Sequence, residues 1–247
     1  MKKLFLIVTL IFVLFAFLSA DVYIKTKTHT DAFEMMGNKQ PAKDEISEQW
    51  IGKNTFAQTG KGQSIVIDLN ENKMYIILHA SKSYVESNLP LDLSKLLPAE
   101  AAPMLKMMKL DAKVTPTGET KLVGKWNCKG YDVVMNMSMM MKMQMKLKVW
   151  ATKDVPFDWE AFSEKMLPAV MKASQAGMPL DDATLDEFKK IDGYQIASEM
   201  SMDMMGATMR ANTQVLEISN KPAPAGIYAP PSGYTLKDKL SMKEIRK

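Results

Sequence analysis

Apolar and polar residues alternate along one twenty-residue segment of this chain, from Tyr131 to Trp150. Every odd-numbered position in the segment is apolar, and most even-numbered positions are polar. A period of two is typical of β-structure with one dry and one wet face. Because twenty extended residues would span roughly 66 Å, the segment predicts a hairpin that turns near residues 137–141. Keeping all odd positions on one face requires a loop of odd length, so we expect three or five loop residues.

A second apolar stripe runs from residue 194 to residue 215, and its parity changes once. The apolar positions are even-numbered up to Met204 and odd-numbered from Ala207 onward. That change predicts a two-residue turn at Met205 and Gly206. Both hairpins can then present their side chains to one continuous apolar face. The ten candidate ligand-binding residues on that face are Met135, Met137, Met139, Met141, Met143, Met145, Met200, Met202, Met204 and Met209.

The rest of the chain reads as strands interrupted by two helical insertions. Alternating or β-branched runs fill most of residues 21–86, and helical spacing of apolar residues appears near 88–110 and 157–190. Prolines and glycines make 221–234 a looped segment. We therefore predict a single β-rich domain over 21–236 and a short basic tail over 237–247. The expected fold class is α+β, mainly antiparallel β, with an open, unclosed β-barrel or curved sheet covered by the helical insertions.

The first twenty residues predict a cleaved signal peptide. Lys2 and Lys3 precede an apolar run from Leu4 to Leu18, and the small residues Ser19 and Ala20 follow it. Asp21, not a cysteine, comes next, so the site for attaching a lipid is missing. These features predict a mature protein that begins at Asp21 and is periplasmic or secreted.

Composition and charge exclude several function classes. The net charge of +4 falls to about +2 without the signal peptide, too little for a nucleic-acid-binding protein. One cysteine excludes a disulfide framework and any metal site with several thiolate ligands, and two histidines make a His-based metal site hard to build. No nucleophile elbow, zinc-protease motif, phosphate loop or dinucleotide fingerprint occurs. We expect no enzymatic activity and no cofactor.

The 23 methionines are the outlier of the composition, and three hypotheses account for the stripes. In the first they form an ordinary core, and the protein is a structural envelope protein without a small ligand. In the second the flexible thioethers line a deformable cavity for acyl chains. In the third they capture Cu(I), for which thioethers are soft ligands. Lys142, Lys146 and Lys148 on the wet face are typical of a solvated strand, and are also compatible with peripheral contact to anionic lipid headgroups.

Two segments resemble a family of exported bacterial proteins with an uncharacterised domain. The segments are Thr115-Pro-Thr-Gly-Glu-Thr-Lys-Leu-Val-Gly-Lys-Trp-Asn-Cys-Lys-Gly-Tyr131 and the closing Pro231-Ser-Gly-Tyr234, with Trp150-Ala-Thr152 as a strand end between them. The resemblance gives no catalytic residues that could be carried over to this sequence. It implies a strand-rich layout similar to the periplasmic lipoprotein-carrier (LolA-like) fold, in which an unclosed barrel holds acyl chains. Cys128 would then be a packed structural residue. The leading hypothesis is a carrier of lipid or lipoprotein acyl chains; the sequence indicates no stable protein partner.

Overall fold

Twelve strands form one large curved sheet in the computed structural model, which describes residues 21–35, 37–101, 109–138, 142–174, 180–204 and 207–245. The strands of this sheet are β1 (Asp21–Thr30), β4 (Lys43–Ile51), β5 (Thr55–Thr59), β6 (Gln63–Asp68), β7 (Lys73–Leu78), β8 (Ser83–Asn88), β9 (Lys109–Val123), β10 (Trp126–Ser138), β11 (Lys142–Thr152), β12 (Tyr194–Met204), β13 (Ala207–Lys221) and β14 (Thr235–Leu236). A separate hairpin consists of β2 (Phe33–Met35) and β3 (Asn38–Gln40).

The strand order is β14-β8-β7-β6-β5-β4-β1-β13-β12-β11-β10-β9, and the sheet does not close. Its pairs are antiparallel apart from the short parallel contact between β14 and β8. β4 to β8 form one meander and β9 to β13 form another. β1 lies between them, paired with β4 on one side and with β13 on the other. The prediction of a mainly antiparallel, unclosed sheet is confirmed.

Short helices interrupt the sheet in two places. α1 (Leu93–Leu96) and a 3-10 turn (Ala99–Ala101) follow β8. Between β11 and β12 lie α2 (Trp159–Ala161), a π-helical turn (Phe162–Met166), α3 (Leu167–Ser174) and α4 (Asp182–Phe188). A last helix, α5 (Met242–Ile245), lies in the tail. We call α2, the π-helical turn, α3 and α4 together the helical cover.

Strand register agrees with the parity of the methionine stripes. In the first hairpin Ser138 pairs with Lys142, so three residues connect β10 and β11. In the second, Met204 pairs with Ala207, so two residues connect β12 and β13. Both loop lengths are as predicted. The odd-numbered residues of β10 and β11 consequently lie on one face of the sheet. The even-numbered residues of β12 around Met202 and the odd-numbered residues of β13 around Met209 lie on the same face.

The sheet has apolar side chains on both faces of the β4–β8 meander. On the face that carries α1 and the helical cover, buried residues such as Phe56, Ile67 and Met74 form the main core. On the opposite face Trp50 belongs to a second cluster, against which the looped segment 221–234 packs. The looped segment is therefore the second cover of the sheet.

A histidine ties the end of this looped segment to the sheet. The Nε2 atom of His79 lies 2.7 Å from the Ser64 hydroxyl oxygen, and its Nδ1 atom lies 3.1 Å from the Tyr234 hydroxyl oxygen. Tyr234 also packs edge-on against the imidazole ring. The closing Pro231-Ser-Gly-Tyr234 element thus has a structural contact with β6 and the turn after β7.

Glu244 in α5 is expected to make stability depend on acidic pH. Lys237 Nζ lies 2.8 Å from its carboxylate, and the backbone N–H of Ser241 donates to it; together they lower the pKa of Glu244 to about 2. A carboxyl with a lowered folded-state pKa stabilises the fold above its unfolded pKa of about 4.3, and that contribution is lost as the pH falls through about 2. We expect Glu244→Gln to flatten this part of the stability profile, as measured by urea unfolding across the window. If the variant and the wild type lose stability in parallel, Glu244 is not the source.

Some predictions concern residues outside the described ranges. These are the signal peptide over 1–20, residues 102–108 of the first helical insertion, and the candidates Met139 and Met141. Within the described residues, no helix has the length and apolar character needed to span a bilayer.

Candidate functional site

A cavity of about 450 Å³ lies between the helical cover and the middle of the sheet. Its floor consists of residues from β1, β4, β5, β10, β11, β12 and β13, and its roof consists of residues from the helical cover and of Ile191. The roof side chains are Trp159, Phe162, Leu167, Val170, Met171, Phe188 and Ile191. Three of these residues, Trp159, Phe162 and Val170, recur at helical spacing in the sequence, so part of the apolar face predicted for the second insertion borders the cavity.

Local sequence explains how the first part of the cover forms. Asp158 caps α2, because its carboxylate accepts a hydrogen bond from the N–H of Ala161 at 2.9 Å. The chain then widens into a π-helical turn, in which the N–H of Leu167 bonds to the carbonyl of Phe162. The helical run continues through Pro168, and the wider turn lies immediately before it, where the missing N–H of proline would disturb regular α-helical bonding.

The second part of the cover, α4, is fastened to the edge strand β9. Asp181 caps it, because its carboxylate accepts a hydrogen bond from the N–H of Thr184 at 2.8 Å. The Glu187 carboxylate accepts from the backbone N–H of Val114 in β9 at 2.9 Å. Lys190, and then this N–H, hold the pKa of Glu187 below its usual range. The contact fixes the roof and also occupies an N–H of an otherwise open sheet edge.

Neutral polar side chains form a row across the cavity floor. The row consists of Thr26, Thr28, Ser47, Gln49, Gln58 and Thr213. Its members bond mostly to one another: the Gln49 amide donates to Gln58 at 3.3 Å, and the hydroxyl oxygens of Thr28 and Thr213 lie 3.1 Å apart. None of the residues that line the cavity carries a charge. The site is therefore apolar with a neutral hydrogen-bonding strip.

Tyr194 connects the polar row to the aromatic roof. Its hydroxyl donates to the Gln49 side-chain oxygen at 2.5 Å, and burial raises its pKa above the ordinary value, so it stays a neutral donor. Its ring packs edge-on against Phe157 and Trp159. The neighbouring Gly193 has a φ of +142°, and a Cβ there would lie 2.5 Å from the backbone carbon of Thr152. Only glycine therefore lets the chain enter β12 so close to β11.

The predicted methionine face and the cavity overlap at one residue, Met135. It lines the cavity and also a separate small void of about 10 Å³. The void is enclosed by Leu110, Met135, Met137, Met143, Met145 and Met202. We call it the methionine void. Met200 and Met209 lie on the same sheet face and are half-buried, and Met204 lies near the end of β12.

Aliphatic and aromatic residues, rather than thioethers, form most of the cavity wall. Helical spacing in the sequence indicated three roof residues, Trp159, Phe162 and Val170. It did not single out the other four roof residues or the polar row. Thr26 and Thr28 alternate along β1, but their meeting with Gln49, Gln58 and Thr213 depends on the order of four strands, which spacing within each strand does not reveal.

The single cysteine and the lysines of the wet face have environments typical of structural residues. Cys128 is 1% exposed in the main core, and burial raises the pKa of its thiol, which disfavours the reactive thiolate. On the wet face, Lys148 pairs with Glu119 at 2.6 Å, and Lys146 is exposed. Among the described residues, no three His, Cys, Asp or Glu side chains are arranged to hold a metal ion.

Comparisons with known proteins give a family but no activity. No curated protein sequence matches the chain. A solved DUF1329 family protein from Desulfovibrio piger ATCC 29098 is 8% identical, with 91% of this chain and 95% of that chain covered and a TM-score of 0.28. The ywiB protein from Bacillus subtilis is 10% identical, with 78% and 92% covered and a TM-score of 0.17. A family described as a domain of unknown function, DUF4412, matches residues 26–234, so the resemblance to a family with an uncharacterised domain is confirmed. Because the match covers most of the chain, the protein belongs to the DUF4412 family.

Proposed function

We propose that the protein is a non-enzymatic carrier that holds the acyl chain of a lipid or lipoprotein beneath its helical cover. The observation that carries the proposal is the cavity of about 450 Å³, with its apolar walls and uncharged lining. Small-molecule sites typically occupy about 300–1,000 Å³ and combine apolar walls with a few polar groups. An unclosed antiparallel sheet under helices is also the layout of a LolA-like carrier, and the predicted signal peptide would place this carrier in the periplasm or outside the cell.

The polar row defines which part of the ligand the cavity accepts. Amide and hydroxyl groups such as those of Gln49 and Thr28 can bond to an ester or amide carbonyl. A carboxylate at the same place would lose its hydration without meeting a cation, which is costly. We therefore expect acyl esters or amides to bind more tightly than the free fatty-acid anion with the same chain.

Tryptophan fluorescence tests the proposal directly, because Trp159 lines the cavity whereas Trp50 lies on the opposite face of the sheet. The probe is a fatty-acid methyl ester brominated in mid-chain, since bromine quenches indole fluorescence on contact. We expect the ester to quench the wild type. We expect Trp159→Phe to lose most of that quenching, and the matched control Trp50→Phe to retain it.

Two outcomes would contradict the carrier function. One is a wild-type protein that the brominated ester does not quench at concentrations below those at which the ester aggregates. The other is equal quenching of both variants, which would place the acyl chain away from Trp159. The free brominated acid, tested in parallel, measures the expected preference for the uncharged ester.

A further inference from the structure

Methionines occupy neighbouring positions on four successive strands of the sheet. Met135 on β10 pairs with Met145 on β11, which pairs with Met202 on β12, which pairs with Met209 on β13. Side chains directly opposite each other across two strands have Cβ atoms about 4.5–5.5 Å apart. Because a methionine side chain has three rotatable bonds, thioethers at such positions can converge on one point.

The structure has a small space among these side chains, the methionine void. Five of its six lining residues are methionines. Two of these, Met137 on β10 and Met143 on β11, form a further cross-strand pair. The volume of the void, about 10 Å³, is that of a single small occupant. The five methionines are half-buried, so the site is close enough to the surface for an ion to enter.

The chemistry of the lining selects the occupant. Thioethers are neutral, soft and polarizable, and soft sulfur ligands favour Cu(I) over hard or borderline divalent ions. The lining contains no carboxylate, imidazole or thiolate, so Mg²⁺, Ca²⁺ and Zn²⁺ find none of their usual ligands there. A neutral site also suits a monovalent ion, because moving a single charge out of water costs less than moving a double charge.

We propose that the methionine void binds one soft monovalent cation, Cu(I) or its analogue Ag(I), through the thioether sulfurs that line it. The site is separate from the carrier cavity and does not depend on the carrier function. No change of oxidation state is involved: the ion enters as Cu(I) and remains Cu(I).

An anaerobic titration tests this assignment. The mature protein competes for Cu(I) with the chromogenic chelator bicinchoninate, and we expect it to withdraw one equivalent. The double variant Met145→Leu and Met202→Leu keeps the side chains apolar and similar in volume, and such exchanges usually cost little stability. We expect it to bind Cu(I) at least about tenfold more weakly, which corresponds to about 1.4 kcal/mol.

The matched control changes two methionines of the same face that do not line the void, Met200→Leu and Met209→Leu. We expect this variant to bind Cu(I) as the wild type does. A wild type that cannot compete with the chelator would overturn the proposal. So would equal affinity losses in the two double variants, or unchanged binding in Met145→Leu and Met202→Leu, because the ion would then lie among other methionines.

X-ray absorption of the copper-loaded protein gives a second readout. We expect a first coordination shell of sulfur only, since the lining offers no nitrogen or oxygen side-chain ligand. A shell dominated by nitrogen or oxygen would contradict the site. Quenching of Trp159 by the brominated ester should persist in the Met145→Leu and Met202→Leu variant, so failure of the metal site and failure of the carrier function can be told apart.

Discussion

Replacing Val170 by tryptophan is expected to reduce acyl-ester binding by about tenfold or more while the protein stays folded. Val170 lies in α3, in the roof of the cavity, and is only partly buried. An indole at this position would extend into open volume, so the cavity absorbs most of the added atoms and the cost of overpacking is small. The volume that the indole fills is then no longer available to the ligand. The measurement is displacement of a fluorescent acyl probe at equilibrium, with circular dichroism as the test of folding.

Leu216→Trp is the matched control for this variant. Leu216 is 49% exposed and is not part of the cavity lining. It receives the same bulky side chain without entering the site, so we expect unchanged probe binding. If Val170→Trp binds the probe as tightly as Leu216→Trp does, the ligand does not occupy the space beneath α3.

Phe56→Ala is expected to have the largest effect on stability. Phe56 is 1% exposed, lies in the main core and contributes to the cavity floor. Truncation of a buried phenylalanine typically costs about 3–5 kcal/mol, because the transfer free energy is lost and a hole remains. Since the whole free energy of unfolding of a domain is about 5–15 kcal/mol, the variant should be close to unfolding. Urea denaturation monitored by circular dichroism measures the change.

Two further variants serve as controls for this prediction. Phe56→Leu retains most of the apolar volume, so we expect a smaller loss of stability and a folded protein even where Phe56→Ala fails to fold. Leu216→Ala removes a side chain that is half exposed, and we expect a change within about 0.5 kcal/mol. Equal losses in Phe56→Ala and Leu216→Ala would mean that Phe56 is not packed in the core.

The parity of apolar residues predicted the register of the sheet around the methionines. The positions that must share a face require an odd number of loop residues between β10 and β11 and an even number between β12 and β13. This constraint acts within each hairpin and needs no information from the rest of the chain. The N-cap Asp181 was predictable for the same reason, because its partner Thr184 lies three residues away. Local periodicity therefore sufficed for these elements.

The position and lining of the cavity could be predicted less well from the sequence. Its floor brings together Thr28 of β1, Gln58 of β5 and Thr213 of β13, which are distant in the chain. The π-helical turn before Pro168 and the bond from Val114 to Glu187 also depend on tertiary packing. The methionine stripes indicated a face that borders the cavity at Met135 but lies mostly beside it. The strongest compositional signal and the cavity beneath the helical cover are therefore different features.

The place of β1 in the sheet has a consequence for how the chain folds. Within each meander the paired strands are consecutive in the chain, and most of them are joined by short loops, whereas the helical cover lies between β11 and β12. The seam between the meanders is different, because Asp21 pairs with Lys221 across nearly the whole length of the domain. Contacts of such long range are slow to form. One edge of β1 must therefore stay unpaired until the chain up to β13 is available, so the two meanders can be joined only late in folding.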